Sequence, residues 1–328
     1  MQEAILWHKE RNGVRCDVCA RKCFISKEKL GYCLVRKNEN NKLFVSNFGK
    51  ITNINTEIVE KKHLFHFFPN TTTLSISSFG DNFTHQAEVF KEPASKEYSP
   101  EQIVKIAEDK SCISITYSSI EPFMFLEFAY RTAKLAHRSN IKNVFMTNGY
   151  TTEDAVKKIA KYLDAIVVNF KASGDEEFYS KFMNVPDTKL IYEALIQMKK
   201  QRLHIEVADT IIPQIGDNIE LCRKLAEWIN TEIGSEVPFH VLQFHPDSMF
   251  TELPLTPVVV LEKCADEARK AGLRYSYIGN LPKYTEQNTY CYNCREPLII
   301  REGYKVKKIN LSKDRCPNCG LRMNIKVE

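Results

Sequence analysis

The sequence predicts an α/β fold, in the form of a partial or full (β/α) barrel with a cysteine-rich region at either end. Short apolar runs alternate at least six times with segments whose apolar residues recur at helical spacing, which indicates a parallel sheet with crossover helices. The chain lacks the Gly-x-Gly-x-x-Gly turn of a dinucleotide-binding fold. Its cysteines concentrate near the two termini. We expect three regions: residues 1–70, 71–281 and 282–328.

Each predicted strand of the barrel is rich in β-branched or aromatic residues. The strands span residues 73–79, 112–117, 143–146, 165–170, 204–211, 239–244 and 275–278. Helical periodicity predicts the intervening helices over 103–110, 123–137, 152–162, 187–200, 219–230 and 258–271. The starts of two helices are predicted by side chains that commonly cap a helix N-terminus. These side chains are Ser99, which precedes Pro100, and Thr151 with Thr152.

Polar residues follow the predicted strands. In a parallel barrel the residues just beyond the carboxyl end of each strand meet at one rim, where ligands bind. We therefore expect a ligand site at this rim; the alternative interpretation is that polar residues simply end the strands. The polar rim residues are Asp81, His85, Ser118, Ser119, Glu121, Thr147, Asn148, Asn169, Lys171, Asp209, Gln243, His245 and Asn280.

The C-terminal region contains two Cys-x-x-Cys pairs, Cys291 with Cys294 and Cys316 with Cys319, separated by 21 residues. Pairs of this kind place four thiolates tetrahedrally around zinc. We predict a structural zinc ribbon that stabilises a tail too small for a core of its own. Ribbons also dock onto proteins or RNA, and the basic stretch 305–308 makes RNA binding a minor alternative.

Four more cysteines, Cys16, Cys19, Cys23 and Cys33, lie near the N-terminus. In a chain predicted to be cytoplasmic, thiols grouped in this way indicate metal ligands rather than disulfides. Their spacing matches neither standard ferredoxin pattern, so zinc and an iron–sulfur cluster are both candidates. The other cysteines lie singly in apolar or helical segments and are predicted to be buried: Cys112, Cys222 and Cys264.

The composition is that of an ordinary globular protein, with 43% hydrophobic and 27% charged residues. No run of eighteen or more apolar residues occurs, and the N-terminus lacks a basic region followed by an apolar stretch. We expect a cytoplasmic protein that does not enter a membrane. The formal net charge of +5 is spread along the chain and does not indicate a nucleic-acid partner.

Nine short motifs occur in a fixed order along nearly the whole chain. They are residues 15–36, 60–67, 121–122, 144–150, 162–165, 211–213, 244–247, 279–280 and 288–291. In this order they resemble the radical S-adenosylmethionine (radical SAM) proteins of the AmmeMemoRadiSam system, which are related to pyruvate formate-lyase activating enzymes. The resemblance implies a radical-SAM-type barrel.

Members of that family hold a [4Fe-4S] cluster with a Cys-x-x-x-Cys-x-x-Cys motif after the first barrel strand. The three matching positions here are Asp81, His85 and Glu88. Thiolates are soft ligands that suit iron–sulfur clusters, whereas carboxylates are hard, so the resemblance implies that the usual cluster is lost. The replacements have the spacing of a non-haem metal triad; the alternative is a loop that has drifted to polar residues.

The family's S-adenosylmethionine site is retained unevenly. The resemblance assigns Glu121 to the substrate amino group and Lys171 to its carboxylate or ribose. Asn169 stands in place of an aspartate and Gln243 in place of an arginine, which weakens the prediction of S-adenosylmethionine binding. The candidate cofactor-binding residues are Glu121, Asn148, Asn169, Lys171 and His245.

These observations lead to two main hypotheses of different classes. The first is a pseudoenzyme, whose barrel is kept as a non-radical metal-binding scaffold for a protein partner. The second is an enzyme with altered metal-dependent chemistry at Asp81, His85 and Glu88. A redox cluster at the N-terminal cysteines is a third hypothesis, although four protein thiolates would leave no open iron for S-adenosylmethionine. A small molecule in the barrel and RNA are further candidate ligands.

Overall fold

The structure is a computed structural model, and it describes residues 1–83, 92–246, 249–281, 284 and 287–327. The chain forms two compact units. The first unit contains Met1–Glu57, Thr72–Ile166 and Tyr179–His204, and the second contains Ile58–Thr71, Val167–Phe178 and Ile205–Glu328. Each unit combines segments that are distant in sequence. The boundaries of the three expected regions stay a prediction.

The N-terminal part of the first unit consists of short strands that the sequence pattern does not predict. They are β1 (Gln2–Glu3), β2 (Trp7–Glu10), β3 (Gly13–Cys16), β4 (Phe24–Ser26), β5 (Arg36–Glu39), β6 (Lys42–Val45) and β7 (Lys50–Ile51). Antiparallel pairing gives one sheet with the order β1-β6-β5 and another with the order β2-β3-β4. Strands of two to four residues offer too little alternation of polar and apolar side chains to be recognised.

Each unit contains further strands, which pair mostly in parallel. Those of the first unit are β8 (Asn53–Ile58), β9 (Thr72–Ser77), β11 (Ser114–Tyr117) and β12 (Lys142–Thr147), while β10 (Lys96–Glu97) pairs with β7 instead. Strand β11 pairs in parallel with β9 and with β12. The strands mainly of the second unit are β13 (Ala165–Lys171), β14 (His204–Ile211), β15 (Phe239–Gln243) and β16 (Ser276–Gly279), and β15 pairs in parallel with β14 and β16.

Seven α-helices are described. They are α1 (Pro100–Asp109), α2 (Leu126–Arg138), α3 (Glu153–Ala160), α4 (Glu176–Phe182), α5 (Lys189–Lys200), α6 (Ile219–Trp228) and α7 (Val258–Lys270). The predicted caps are confirmed: the side chain of Ser99 accepts a hydrogen bond from Gln102 N, and that of Thr152 accepts one from Ala155 N. No helix within the described ranges is long and apolar enough to cross a membrane.

The C-terminal ribbon is a three-stranded antiparallel sheet within the second unit. Its strands are β17 (Thr289–Tyr290), β18 (Pro297–Glu302) and β19 (Lys305–Ile309). The ribbon does not stand alone, because Leu298 and Ile299 share a hydrophobic core with Phe65, Tyr275 and Tyr277. The metal site of the ribbon is therefore also part of the core of the second unit.

Candidate metal centres

The four cysteines of the ribbon are arranged as a metal site, which we call the ribbon site (Cys291, Cys294, Cys316 and Cys319). The sulfur atoms of Cys291 and Cys319 are 3.7 Å apart, and those of Cys294 and Cys316 are 3.6 Å apart. All four sulfur atoms lie within 4.8 Å of one another. A tetrahedral zinc ion with bonds of roughly 2.3 Å separates its sulfur ligands by about 3.8 Å. The ribbon site can therefore bind one metal ion, and zinc remains the prediction for its identity.

Backbone amides favour the thiolate form in the ribbon site. The amide of Leu321 is the main cause that lowers the pKa of Cys319 to about 6, so this exposed thiol is ionised at neutral pH. Burial raises the pKa of Cys316 to about 11, and the hydrogen bonds that its sulfur accepts from the amides of Asn318 and Cys319 oppose this increase. Because the thiolate is the form that binds a metal, these amides prepare the site for its ion.

The N-terminal cysteine site (Cys16, Cys19, Cys23 and Cys33) has a different geometry. Its four cysteines line one cavity, together with Arg21, Tyr32, Arg36, Asn82, Met124 and apolar neighbours. Cys23 is half-buried and the other three are buried. In the described part of the chain, no three metal-ligating atoms outside the ribbon site lie within 4.8 Å of one another. The sulfur atoms of this site are therefore more widely spaced than those of the ribbon site.

Burial keeps the thiols of the N-terminal cysteine site protonated when no cation is bound. Burial raises the pKa of Cys16 to about 12, and it raises the pKa of Cys19 and of Cys33 in the same direction. The guanidinium of Arg36 opposes this shift at Cys16 and Cys33. A metal that binds here must displace protons from buried thiols, so its binding releases protons and strengthens as the pH rises.

The N-terminal cysteines lie beside the rim of the first unit, a position that no motif in the sequence predicts. Cys19 forms an antiparallel bridge with Thr151, which follows β12. Arg21 Nη2 donates to the carbonyl oxygen of Phe83, which follows β9, at 3.1 Å. Tyr32 Oη donates to the same oxygen at 2.6 Å, and the Arg21 guanidinium lies 3.5 Å from the centre of the Tyr32 ring. These contacts fix the cysteine segment against the carboxyl ends of two central strands.

Predicted rim residues of the first unit form one hydrogen-bonded network. Glu121 Oε1 accepts from Thr147 Oγ1 at 2.8 Å, and its Oε2 accepts from Asn148 N at 2.8 Å. Asn148 Nδ2 donates to Asn82 Oδ1 at 2.7 Å, and Asn82 Nδ2 donates to Tyr150 O at 2.9 Å. The network brings together Glu121, Thr147 and Asn148 as predicted. It adds Asn82, which the sequence reasoning overlooked because a single amide carries no motif.

Glu121 is the titratable group of this network. Burial raises the pKa of its carboxyl to about 7, although the Asn148 amide and the Thr147 hydroxyl stabilise the carboxylate; the charge of Asp81 adds to the increase. A carboxyl group that exchanges its proton near neutral pH is suited to acid–base chemistry.

The pKa of Glu121 predicts a pH dependence of stability. Between pH 4.5 and about 7 the folded protein holds a proton at Glu121 that the unfolded chain has lost, so the free energy of unfolding falls as the pH rises through this window. The loss is on the order of 3 kcal/mol, from 1.36 kcal/mol per pKa unit. We expect Glu121→Gln to remove this part of the change between pH 5 and pH 8, measured by denaturant titration. Glu108→Gln, at an exposed position of α1, should keep the wild-type change.

The rim residues of the second unit mainly serve the backbone of that unit. Asp209 Oδ1 accepts from Ser173 N at 3.0 Å and Oδ2 accepts from Ser173 Oγ at 2.7 Å, while burial raises the pKa of Asp209 to about 6. Asn280 exchanges two hydrogen bonds with the backbone of Gln243, at 2.9 and 2.8 Å. Three candidate cofactor residues complete this set: Asn169 and Lys171 are half-buried on β13, and His245 is exposed after β15.

The proposed triad of Asp81, His85 and Glu88 is described only at its first member. His85 and Glu88 lie outside the described residues. Asp81 is half-buried, and its Oδ1 accepts a hydrogen bond from Phe83 N at 3.0 Å. This bond stabilises the turn that follows β9.

A buried polar network in the second unit was not predicted. Glu206, within β14, accepts hydrogen bonds from Phe65 N at 3.0 Å, His66 N at 2.9 Å and His240 Nε2 at 2.8 Å. His66 is a core residue, because it is buried and its Nε2 lies 2.8 Å from Tyr277 Oη. The available signal was a charged residue between Ile205 and Val207 in a predicted strand. The network anchors the segment before β9 to the second unit's own strands.

Comparison with known proteins defines the class of this fold. The family model described as "Radical SAM superfamily" matches residues 77–229, a range that includes the stretch 80–88 and the rim residues of β11 and β12. Residues 77–229 of this chain are therefore similar to the radical SAM domain. The whole chain is 35% identical over 336 residues to "Uncharacterized protein MJ0808" of Methanocaldococcus jannaschii, covering 99% of both chains.

More distant matches are partial. The (2S)-3-sulfopropanediol dehydratase activating enzyme of Klebsiella oxytoca is 22% identical over 129 residues, which cover 39% of this chain and 40% of the relative. A domain of a pyruvate-formate lyase-activating enzyme from Bacteroides vulgatus matches 51% of this chain and 99% of its own, with 18% identity and a TM-score of 0.44. A radical SAM methyltransferase from Sphaerobacter thermophilus matches 64% and 67%, with 14% identity and a TM-score of 0.49.

Proposed function

We propose that this protein is a pseudoenzyme of the radical SAM superfamily, a non-radical metal-binding scaffold that serves a protein partner. One observation carries the proposal: the stretch after β9 has Asp81, His85 and Glu88 at the positions where the resemblance implies three cluster cysteines. An iron–sulfur cluster is held by thiolates, and this stretch offers none. The residues therefore do not fit the cluster that the superfamily implies, and no radical step is assigned to the barrel.

The packing at the start of this stretch supports the proposal. Asn82 is fully buried, and its side chain is used in hydrogen bonds to Asn148 and Tyr150. Phe83 is also buried, with its ring centre 5.7 Å from that of Tyr179 in an edge-on contact. Asn82 and Phe83 therefore have a role in the fold of the first unit that does not depend on a cluster.

The proposal predicts that the protein does not cleave S-adenosylmethionine. After anaerobic purification and treatment with iron, sulfide, S-adenosylmethionine and dithionite, we expect no 5′-deoxyadenosine above the protein-free background. Chromatography with mass detection measures this product. Formation of 5′-deoxyadenosine by the wild-type protein would show that the proposal is wrong.

A matched variant tests whether the missing cysteines explain the result. In the triple variant Asp81→Cys, His85→Cys and Glu88→Cys, the three thiolates of the superfamily motif are restored. We expect this variant to take up more iron than the wild type under the same treatment. If it then forms 5′-deoxyadenosine, the loss of activity lies in these three positions. If it gains iron but stays inactive, the S-adenosylmethionine site has been lost as well, which also fits a scaffold.

A second candidate function is an enzyme with metal-dependent chemistry at the same rim. Glu121 favours it, because a carboxyl with a pKa of about 7 can donate and accept a proton near neutral pH. In that case Asp81, His85 and Glu88 would hold a divalent metal that polarises a substrate or activates water. Loss of one metal equivalent from His85→Ala, with the ribbon site still filled, would favour this enzyme over the scaffold. Residual S-adenosylmethionine binding through Glu121 and Lys171 is tested by equilibrium dialysis.

A further inference from the structure

We propose that the N-terminal cysteine site holds an iron–sulfur cluster and not a single zinc ion. Four buried or half-buried thiols around one cavity already indicate a metal centre. Both the spacing of its sulfur atoms and the chemistry of its lining favour a cluster. This inference is independent of the proposed function, because it concerns none of the three positions that replace the superfamily cysteines.

The spacing of the sulfur atoms separates the two cysteine sites. A single tetrahedral zinc ion holds its four sulfur ligands about 3.8 Å apart, and the pairs in the ribbon site, at 3.7 and 3.6 Å, match this value. No three sulfur atoms of the N-terminal cysteine site lie even within 4.8 Å of one another. A cluster of several iron and sulfide ions is larger than one ion and holds its cysteines farther apart. The same chain thus contains one site of zinc dimensions and one that is wider.

The lining of the cavity includes a buried cation with an unused hydrogen-bond donor. Arg36 is 1% exposed, and its Nη1 and Nη2 each lie 3.0 Å from a carboxylate oxygen of Glu127. Its Nε is buried and has no hydrogen-bond partner among the described residues. Burying a donor without an acceptor costs about 1–3 kcal/mol. Arg36 lines the cysteine cavity. A negatively charged sulfur atom of a bound cluster could therefore accept a hydrogen bond from its Nε.

Backbone amides also point at the cysteine sulfur atoms. The amide of Val18 donates to Cys16, and the amides of Val35 and Arg36 donate to Cys33. Hydrogen bonds of this kind to cluster sulfur atoms tune the reduction potential of an iron–sulfur centre. Together with Met124 and the apolar residues of the cavity, they give a largely dry environment with fixed donors.

The ligand set limits what the cluster can do. Each of the four protein thiolates occupies one coordination position on the cluster. No open iron is then left for S-adenosylmethionine. The cluster would therefore transfer electrons or stabilise the fold. Asn82 lines the same cavity, and Arg21 donates hydrogen bonds to the backbone oxygens of Asn82 and Phe83. The site is thus tied to residues that follow β9.

The metal content of the full-length wild-type protein tests this inference first. After anaerobic purification, with and without added iron and sulfide, we expect iron and acid-labile sulfide in equal amounts, in addition to one equivalent of zinc. X-ray absorption at the iron edge should show sulfur ligands and iron–iron scattering. Two equivalents of zinc with no sulfide, or iron without iron–iron scattering, would overturn the inference.

Variants locate the cluster. Cys19→Ser combined with Cys33→Ser should lose at least nine-tenths of the iron and sulfide and keep the zinc, whereas Cys316→Ser should lose the zinc and keep the iron. Asp81→Asn and His85→Ala should keep both. Iron that is lost with His85→Ala would be bound through His85 and not through the N-terminal cysteines, which would contradict the inference. The X-ray absorption spectrum of the wild-type protein does not depend on whether any variant folds. It therefore shows whether a cluster is present even if the cysteine variants aggregate.

Discussion

Cys316→Ser is expected to release the metal of the ribbon site and to unfold the core around it. Cys316 and Cys291 are buried in the same hydrophobic core as Phe65 and Tyr277, so loss of the ion removes a bond network from the middle of packed side chains. Structural zinc contributes roughly 10–16 kcal/mol of apparent binding free energy in zinc-finger peptides. We therefore expect the free energy of unfolding of the second unit to fall by more than about 4 kcal/mol. Metal analysis and thermal unfolding followed by circular dichroism measure both effects.

The control for this experiment is Asn318→Ser. Asn318 is exposed and lies between Cys316 and Cys319 in the same turn, but its side chain is not a ligand of the site. It should keep one equivalent of metal and the wild-type melting temperature. A Cys316→Ser protein that lost its metal and still melted like the wild type would show that the ribbon is held by its hydrophobic contacts alone.

The central strands could be predicted from the sequence because their signal is local. All seven predicted strands are confirmed to within two residues at either end, and β14 was predicted without error over 204–211. Runs of β-branched and aromatic residues between helical segments are sufficient for this purpose. Strand β8 and the short N-terminal strands were missed. Their residues are partly exposed and polar, and their pairing depends on partners elsewhere in the unit.

The ribbon site was predictable for a similar reason, since two Cys-x-x-Cys pairs are local motifs with a known geometry. The N-terminal cysteines were recognised as ligands, but their position was not predictable. Their place at the rim depends on contacts such as that of Thr151 Oγ1 with Val18 O, which joins residues 133 positions apart. No periodicity or motif encodes such a contact. The same limit applies to Glu206, whose partners Phe65 and His66 are 141 and 140 positions away.

Glu127→Gln is expected to destabilise the first unit by about 3–5 kcal/mol, because it leaves the buried guanidinium of Arg36 without its counter-charge. Both side chains are 1% exposed, and Glu127 Oε1 also accepts a hydrogen bond from Ile5 N at 3.1 Å. Urea unfolding of the metal-loaded protein measures the change. Asp109→Asn, which removes the exposed ion pair with Lys105 on α1, should cost less than about 1 kcal/mol.

The double variant Arg36→Met with Glu127→Met separates the charge effect from simple loss of contacts. If the single variant is destabilised because one charge is left unpaired, replacing both residues by apolar ones should recover most of the loss. A double variant as unstable as Glu127→Gln would show that the pair matters through its hydrogen bonds to neighbouring backbone.

The same substitution also connects the ion pair to the N-terminal cysteine site. Arg36 lines the cavity of that site, so a bound cluster with four thiolates places negative charge beside its guanidinium. When Glu127 is replaced, this charge remains and compensates Arg36 in part. We therefore expect Glu127→Gln to cost less in the metal-loaded protein than in protein stripped of metal under anaerobic conditions. Equal costs in the two forms would mean that the guanidinium does not sense the metal centre, and that its unpaired Nε serves another acceptor.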